Sequence, residues 1–131
     1  MSKPVILCVD DEMVVLNSLK IQLKNEFQDS YLYEIAESAD EAMEIIEELQ
    51  EDEIDILVIV SDWLMPGIKG DEFLIKVHQR FPNILKIMLT GQADAEAIER
   101  ANQQANLHAC LHKPWKGKDL IETIKLGLDK L

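Results

Sequence analysis

Hydrophobic positions fall into five short apolar runs, separated by stretches in which apolar residues recur every three or four positions. The first run, Val5-Ile6-Leu7-Cys8-Val9, is apolar throughout, which marks a strand covered on both faces. After it, Val14, Val15, Leu19, Ile21 and Leu23 recur at helical spacing. With Asp11 available as a cap, they predict a first helix from Glu12 to Glu26. Leu32–Ala36 reads as a second strand. Ser38 followed by Glu41 matches a capping box, opening a second helix through Ala42, Ile45, Ile46 and Leu49 that the solvated run Glu51-Asp52-Glu53 ends. Ile54–Val60, the most apolar run, is the third strand. Pro66-Gly67 and Gly70 punctuate the loop beyond it, and Phe73, Leu74, Val77 and Phe81 mark a third helix closed by Pro82. Ile84–Leu89 is a fourth strand, Ala93–Ala105 a fourth helix and Leu107–Leu111 a fifth strand. Leu120, Ile121, Ile124, Leu128 and Leu131 form the inward face of a last helix.

Strands and helices in strict alternation require right-handed crossovers, hence a parallel sheet with helices on its faces. Ligands of such sheets bind beyond the carboxyl ends of the strands, near a switch point in strand order. The residues that follow the predicted strands are Asp10-Asp11, Asp62, Thr90-Gly91 and Lys113-Pro114. Each alone has an ordinary reading: Asp11 caps a helix, Asp62 starts a turn, Thr90-Gly91 is loop chemistry, and Lys113 is a solvated cation. The fold gathers them at one edge, where three carboxylates repel unless a cation sits among them. All-oxygen ligation suits a hard ion such as Mg²⁺, with Mn²⁺ as the alternate. Beside that ion an Asp carboxylate can attack phosphorus while Lys113 offsets charge on the transferring group. The Thr90 hydroxyl and the Gly91 N–H would then donate to phosphoryl oxygens.

Composition narrows the class of partner. A chain of 131 residues without internal repeat or linker reads as a single domain, residues 1–131, large enough for a proper core. Its formal charge of −12 disfavours direct binding to nucleic acid or an anionic membrane, and favours proteins and cations as partners. The short apolar run Pro4–Val9 ends in Asp10 and Asp11 and makes no signal peptide, so the expected location is cytoplasmic. Cys8 and Cys110 lie in separate apolar segments without metal-ligand spacing and read as reduced core residues.

Four motifs carry a specific resemblance: Val9-Asp10-Asp11-Glu12, Ser61-Asp62-Trp63-Leu64-Met65-Pro66-Gly67, Leu89-Thr90-Gly91 and His112-Lys113-Pro114-Trp115. In this order and spacing the chain resembles, over its whole length, the receiver domain of bacterial two-component response regulators, in particular the single-domain chemotaxis type. The resemblance implies a flavodoxin-like (βα)₅ fold with sheet order 2-1-3-4-5 and a cis Lys113–Pro114 bond. It implies Asp62 as phosphoacceptor, acting with Thr90 and Lys113. Trp63, Thr90, Gly91 and Lys113 would bind the phosphoryl group. Asp11, Asp62 and the Leu64 carbonyl would ligate Mg²⁺, with Asp10 acting mainly through a water. In that strand order the strands bearing Cys8 and Cys110 are three steps apart, roughly 14 Å, beyond the about 7 Å that a disulfide spans.

The same resemblance makes the chain a switch in a phosphorelay rather than a turnover enzyme, catalysing only its own phosphorylation and dephosphorylation. Its partners would be a sensor histidine kinase or phosphotransfer protein, docking near Leu16–Leu23, and an output protein or fused output domain. The face made by the fourth helix, fifth strand and last helix would signal, and would serve any phosphorylation-linked dimer. Family switching pairs the Thr with an aromatic three residues before the lysine, which here is Cys110. A thiol cannot fill an aromatic-sized void, so the fourth helix itself is expected to shift, with His108 or His112 changing contacts on the same strand face. Leu64 and Gln92 match the sites that tune hydrolysis, and an apolar Leu64 cannot orient water, which predicts a long-lived phosphorylated state. Two rivals are a haloacid dehalogenase-type phosphatase, which needs a second Asp where Leu64 stands, and a receiver-like docking module that takes no phosphate. No glycine-rich phosphate loop follows a strand.

Overall fold

Among the described residues, 3–92 and 95–131, the computed structural model alternates five strands with five α-helices, with one short 3-10 turn, Gln28–Ser30, between the first helix and the second strand. The strands and α-helices are β1 (Val5–Val9), α1 (Met13–Phe27), β2 (Leu32–Ala36), α2 (Ala39–Glu51), β3 (Ile56–Asp62), α3 (Gly70–Arg80), β4 (Leu85–Thr90), α4 (Ala95–Ala105), β5 (Ala109–His112) and α5 (Gly117–Leu128). All five strands pair in parallel in the order β2-β1-β3-β4-β5, the flavodoxin-like arrangement expected. Pairing on both sides and cover on both faces account for the unbroken apolar run of β1, every residue of which is buried. Its side chains alternate between two layers. Val5, Leu7 and Val9 pack with Ile59 and Met88 under α2, α3 and α4, whereas Ile6 and Cys8 pack with Val58, Val60, Ile87 and Leu89 under α1 and α5.

Three strands, β3, β4 and β5, differ in their bounds from the sequence expectation. β3 begins two residues late and runs on through Ser61 and Asp62, because the backbone ladder pairs Ser61 with Val9 and Asp62 with Leu89 whatever their polarity. Ile54 instead closes the turn after α2, its N–H donating to the Leu49 carbonyl at 2.9 Å. β4 takes in Thr90 and β5 takes in His112 in the same way. β5 starts only at Ala109, since the Leu107 N–H donates back to Ala101 and Asn106 turns through a left-handed φ of 50°.

Helix ends show similar adjustments. Asp11 does not cap α1: Glu12 occupies the cap position without a side-chain bond, and the carboxylate that receives the Glu12 N–H is Asp10, at 2.8 Å. The buried stripe of α1 is Leu16, Leu19 and Leu23, with Val14 and Ile21 exposed, since positions 14 and 21 lie on another side of the 3.6-residue turn. Half of the expected capping box forms. Ser38 Oγ accepts the Glu41 N–H at 3.1 Å, but the Glu41 carboxylate accepts from Glu37 rather than from Ser38. Ala93, expected to open the fourth helix, lies outside the described residues, and Leu131 lies beyond α5 and is exposed.

Cys8 and Cys110 are free thiols on opposite faces of the sheet, and burial pushes the Cys8 thiol up to about 12. The Lys113–Pro114 peptide is cis, as the resemblance implies. Among the described residues no helix is long and apolar enough to cross a membrane. One cation lies where the sequence pattern gives no warning. Lys86 in β4 is buried, its Nζ donates to the Ile84 carbonyl at 2.6 Å, and desolvation lowers its pKa to about 8.

Candidate functional site

The strand order brings the carboxyl ends of β1, β3, β4 and β5 to one edge, and the chemistry collects there. Asp10 leaves β1 with its N–H bonded to the Ala36 carbonyl of β2, which fixes its direction; its side chain is buried. Asp62 is the last residue of β3 and 5% exposed, while Asp11 is open to water. The three carboxylates offer oxygens within 4.8 Å of one another. Lys113, held by its N–H to the Thr90 carbonyl at 2.9 Å, reaches between two of them. Its Nζ is 2.7 Å from Asp10 Oδ2 and 3.1 Å from Asp62 Oδ1.

One ammonium against three carboxylates leaves negative charge uncompensated. Burial pushes the Asp62 carboxyl above its ordinary value; the Lys113 hydrogen bond opposes that rise and the Asp10 charge adds to it. Burial alone would lower Lys113, but its hydrogen bonds to Asp10 and Asp62, together with their charges, outweigh it and raise the ammonium pKa. Lys113 gains two carboxylates, whereas Asp62 is desolvated and shares its ammonium with Asp10. Asp10 has one oxygen engaged by the Glu12 N–H and the other by Lys113, so it is poorly placed to turn an oxygen directly toward an added ion. Hard oxygen donors converging beside an open cleft of about 660 Å³ fit a divalent cation that keeps part of its water shell.

Asp11, Asp62, Leu64, Gly91, Gln92 and Lys113 all line that cleft. Leu64 is half exposed at its rim. Thr90 is buried at the end of β4, its Oγ1 accepting the Gln92 N–H at 3.0 Å. Two glycines shape the loop between β3 and α3. Gly67 turns it with a φ of 82°, and Gly70 lies so close to the end of β3 that a Cβ there would collide with the Asp62 carbonyl oxygen and come within 2.8 Å of Trp63 Cα. The Gly70 N–H donates to the Trp63 carbonyl at 2.7 Å, clamping the loop onto the end of β3.

Trp63 stands beside the cleft with its groups engaged elsewhere. Its backbone N–H donates to the Leu89 carbonyl at 3.0 Å and its indole packs in the core under Lys69, whose Nζ is 4.9 Å from the ring. Cys110 lies on the α4 side of the sheet, beside Met88 of β4, and is only partly buried. His108 does not share that surface as expected. It precedes β5, and its Nε2 lies 2.9 Å from the Thr123 carbonyl of α5, a contact available because the chain has not yet entered the strand pleat. His112 is in β5 and exposed.

Sequence reasoning passed over Asp71 and Arg100. Asp71, in the first turn of α3, is 1% exposed; its Oδ1 accepts the Trp63 indole N–H at 3.0 Å. Its Oδ2 accepts from Arg100 Nε at 3.1 Å and Nη2 at 2.9 Å, so one carboxylate joins the tail of β3 to α3 and α4. An acid in a first helical turn ordinarily reads as a solvated partner of the helix dipole. The available signal was its spacing of three from Leu74, which places it on the margin of the buried stripe.

The family model of the response regulator receiver domain matches residues 6–125. The chain belongs to that family. Among its relatives, the hydrogenase transcriptional regulatory protein HoxA of Cupriavidus necator is 33% identical over 124 residues, covering 95% of this chain but 24% of HoxA. A CheY-like response regulator receiver domain protein from Methanospirillum hungatei superposes with a TM-score of 0.85 at 35% identity, covering 98% of this chain and 96% of that one. The signal receiver domain of an HD domain-containing protein from Pseudomonas fluorescens gives 0.87 at 26% identity, covering 98% and 97%. As a receiver domain, the protein is a phosphoryl-accepting switch of two-component signalling, and neither a dehalogenase-type phosphatase nor a docking module that takes no phosphate is favoured. Receiver domains bind Mg²⁺ at an acidic pocket, and Asp10, Asp11 and Asp62 form such a cluster here. Receiver domains as a family interact with a histidine kinase or phosphotransfer protein and with output domains.

Proposed function

We propose that Asp62 is the phosphoacceptor of this receiver domain, that Asp11, Asp62 and the Leu64 carbonyl hold Mg²⁺ with Asp10 acting through a water, and that Lys113, Thr90 and Gly91 receive the phosphoryl oxygens. The observation that carries this reading is the Lys113 ammonium lying 2.7 Å from Asp10 and 3.1 Å from Asp62 at the edge of an open cleft. A carboxylate oxygen of Asp62 attacks phosphorus of a phosphohistidine; the P–N bond breaks and its electron pair returns to the imidazole. Mg²⁺, when bound, offsets the charge of the acidic cluster and of the transferring group. Lys113 neutralises the acyl phosphate as it forms, and the buried Thr90 hydroxyl rotates from acceptor of the Gln92 N–H to donor toward a phosphoryl oxygen. The Trp63 N–H joins these ligands only by leaving the Leu89 carbonyl.

In this reading the domain comprises residues 1–131 and works in the cytoplasm. It catalyses nothing beyond its own phosphorylation and dephosphorylation. Its output surface is α4–β5–α5, which also serves any dimer, and the net charge of −12 argues against direct nucleic-acid contact. Titration with beryllofluoride in the presence of Mg²⁺, followed by fluorine NMR, tests the assignment. A bound resonance in the parent that disappears in Asp62→Asn is expected, and an equal resonance in both proteins would refute it.

A further inference from the structure

We propose that the Asp71–Arg100 pair couples the state of Asp62 to the position of α4, as a latch that holds α4 in its unphosphorylated place. The inference rests on Asp62 being the acceptor. From Asp62 the path runs through the next residue, Trp63, to the Asp71 carboxylate by way of the indole N–H, and from that carboxylate to Arg100 on α4. Cys110, on the same side of the sheet, has no ring with which to carry a rotamer change.

The make-up of α4 gives this pair its weight. The inner face of the helix consists of Ala97, Ala101 and Ala105, with Ile98 partly buried, so it brings little apolar area to the sheet and to α3. A helix so lightly packed is easily displaced, and a two-donor charged contact to a buried carboxylate fixes its place more firmly than methyl groups do. The two partners are unequal. Arg100 has a half-exposed side chain and regains water when it leaves, whereas Asp71 is buried and would keep the Trp63 indole N–H as donor to its other oxygen. A buried carboxylate stripped of its cation is strongly disfavoured, so α4 has a held position and a released one with little between.

Phosphorylation supplies the pull. When the Thr90 hydroxyl turns to the phosphoryl group it gives up the Gln92 N–H, and the loop that enters α4 is drawn toward Asp62 against the latch. A contact that favours the unphosphorylated position must weaken binding of anything that favours the other, and by linkage its removal must tighten that binding. A contact that merely stabilises the fold has no such effect.

The test uses the pair Asp71→Asn and Arg100→Gln in one protein, which removes both charges while leaving an amide oxygen for the Trp63 indole. Beryllofluoride affinity with Mg²⁺ is measured by fluorine NMR, and amide exchange is followed across α4 with and without beryllofluoride. In the parent, protection of α4 is expected to fall on beryllofluoride binding. In the double variant protection is already low, beryllofluoride changes it little, and affinity rises by about fivefold or more. Arg100→Lys keeps a charge but loses the fork, folds with minimal disturbance, and is expected to give an intermediate affinity. Parental affinity in both variants, or a parental response of α4 in the double variant, overturns the latch. If the parent binds no beryllofluoride, the assignment of Asp62 fails and the latch falls with it.

Discussion

Lys113 faces two carboxylates while each carboxylate faces one ammonium, and this inequality sets how the site responds to pH. In the proposed reading Asp62 is the nucleophile and must be ionised, and burial raises its carboxyl above the ordinary 3.8. Phosphoryl uptake is therefore expected to fall on acidification at a higher pH than an unperturbed aspartate would dictate. Lys113→Met should move that acid limb higher still; stopped-flow uptake from a small phosphodonor across pH measures it, and an unmoved limb contradicts the pairing. The stability slopes have the same sign for the two groups but fall in different pH windows. Between the ordinary and the raised Asp62 values the folded state binds more protons, so the Asp62 contribution declines as pH rises through that window. The raised Lys113 contributes fully below its unfolded value, and loses its contribution as alkaline pH passes the folded one.

Lys86 shows the reverse case. Folding lowers it to about 8, so the unfolded chain binds more protons above that pH and stability should climb between about 8 and its ordinary 10.5. Lys86→Met removes a desolvated charge and is expected to raise stability at neutral pH by roughly 1 kcal/mol; a urea melt showing loss instead would mean its carbonyl contacts dominate. At the cleft rim, Leu64→Asn would introduce a group able to orient water, and several-fold faster loss of the phosphoryl group is the expected outcome, against an unchanged decay if Leu64 plays no part. Residues such as Asp10, Asp62 and Lys113 were legible because strand ends pointed to them. Asp71, Arg100 and Lys86 were not, because a charged residue reads as solvent-facing until its neighbours in space are known.

Elements were legible where burial dictates composition and less so where the backbone decides. Every strand and helix appears at its expected place, since apolar runs and helical periodicity record two-sided and one-sided burial. Strand ends were missed because ladder hydrogen bonds carry β3 through Ser61 and Asp62 irrespective of polarity. Asp62 is thereby anchored within the sheet rather than on a loose turn. Gly70 enforces that geometry. Gly70→Ala would press a Cβ into the Asp62 and Trp63 backbone, where no side-chain movement relieves it. A loss on the order of 2–4 kcal/mol in a thermal melt, with weakened Mg²⁺ affinity, is the expected result, and a near-neutral effect would show the loop to be tolerant.

At the scale of the whole molecule, one parallel sheet aligns four strand ends and thereby assembles an acidic cluster and a lysine from residues scattered over the sequence. Helices α1 and α5 cover the face away from α4, which leaves α2, α3 and α4 as the layer in direct line with Trp63 and Asp71. In the proposed reading the fold separates capture of the phosphoryl group, at the sheet edge, from its consequence, at a lightly packed helix. The central claim is that the captured group resides on Asp62. Incubation with a small-molecule phosphodonor and Mg²⁺, borohydride reduction of the acyl phosphate and peptide mass mapping test it directly. The expected result is a single modified site at Asp62, lost on chelation of Mg²⁺ and in Asp62→Asn, whereas modification at another residue, or undiminished uptake by Asp62→Asn, would contradict it.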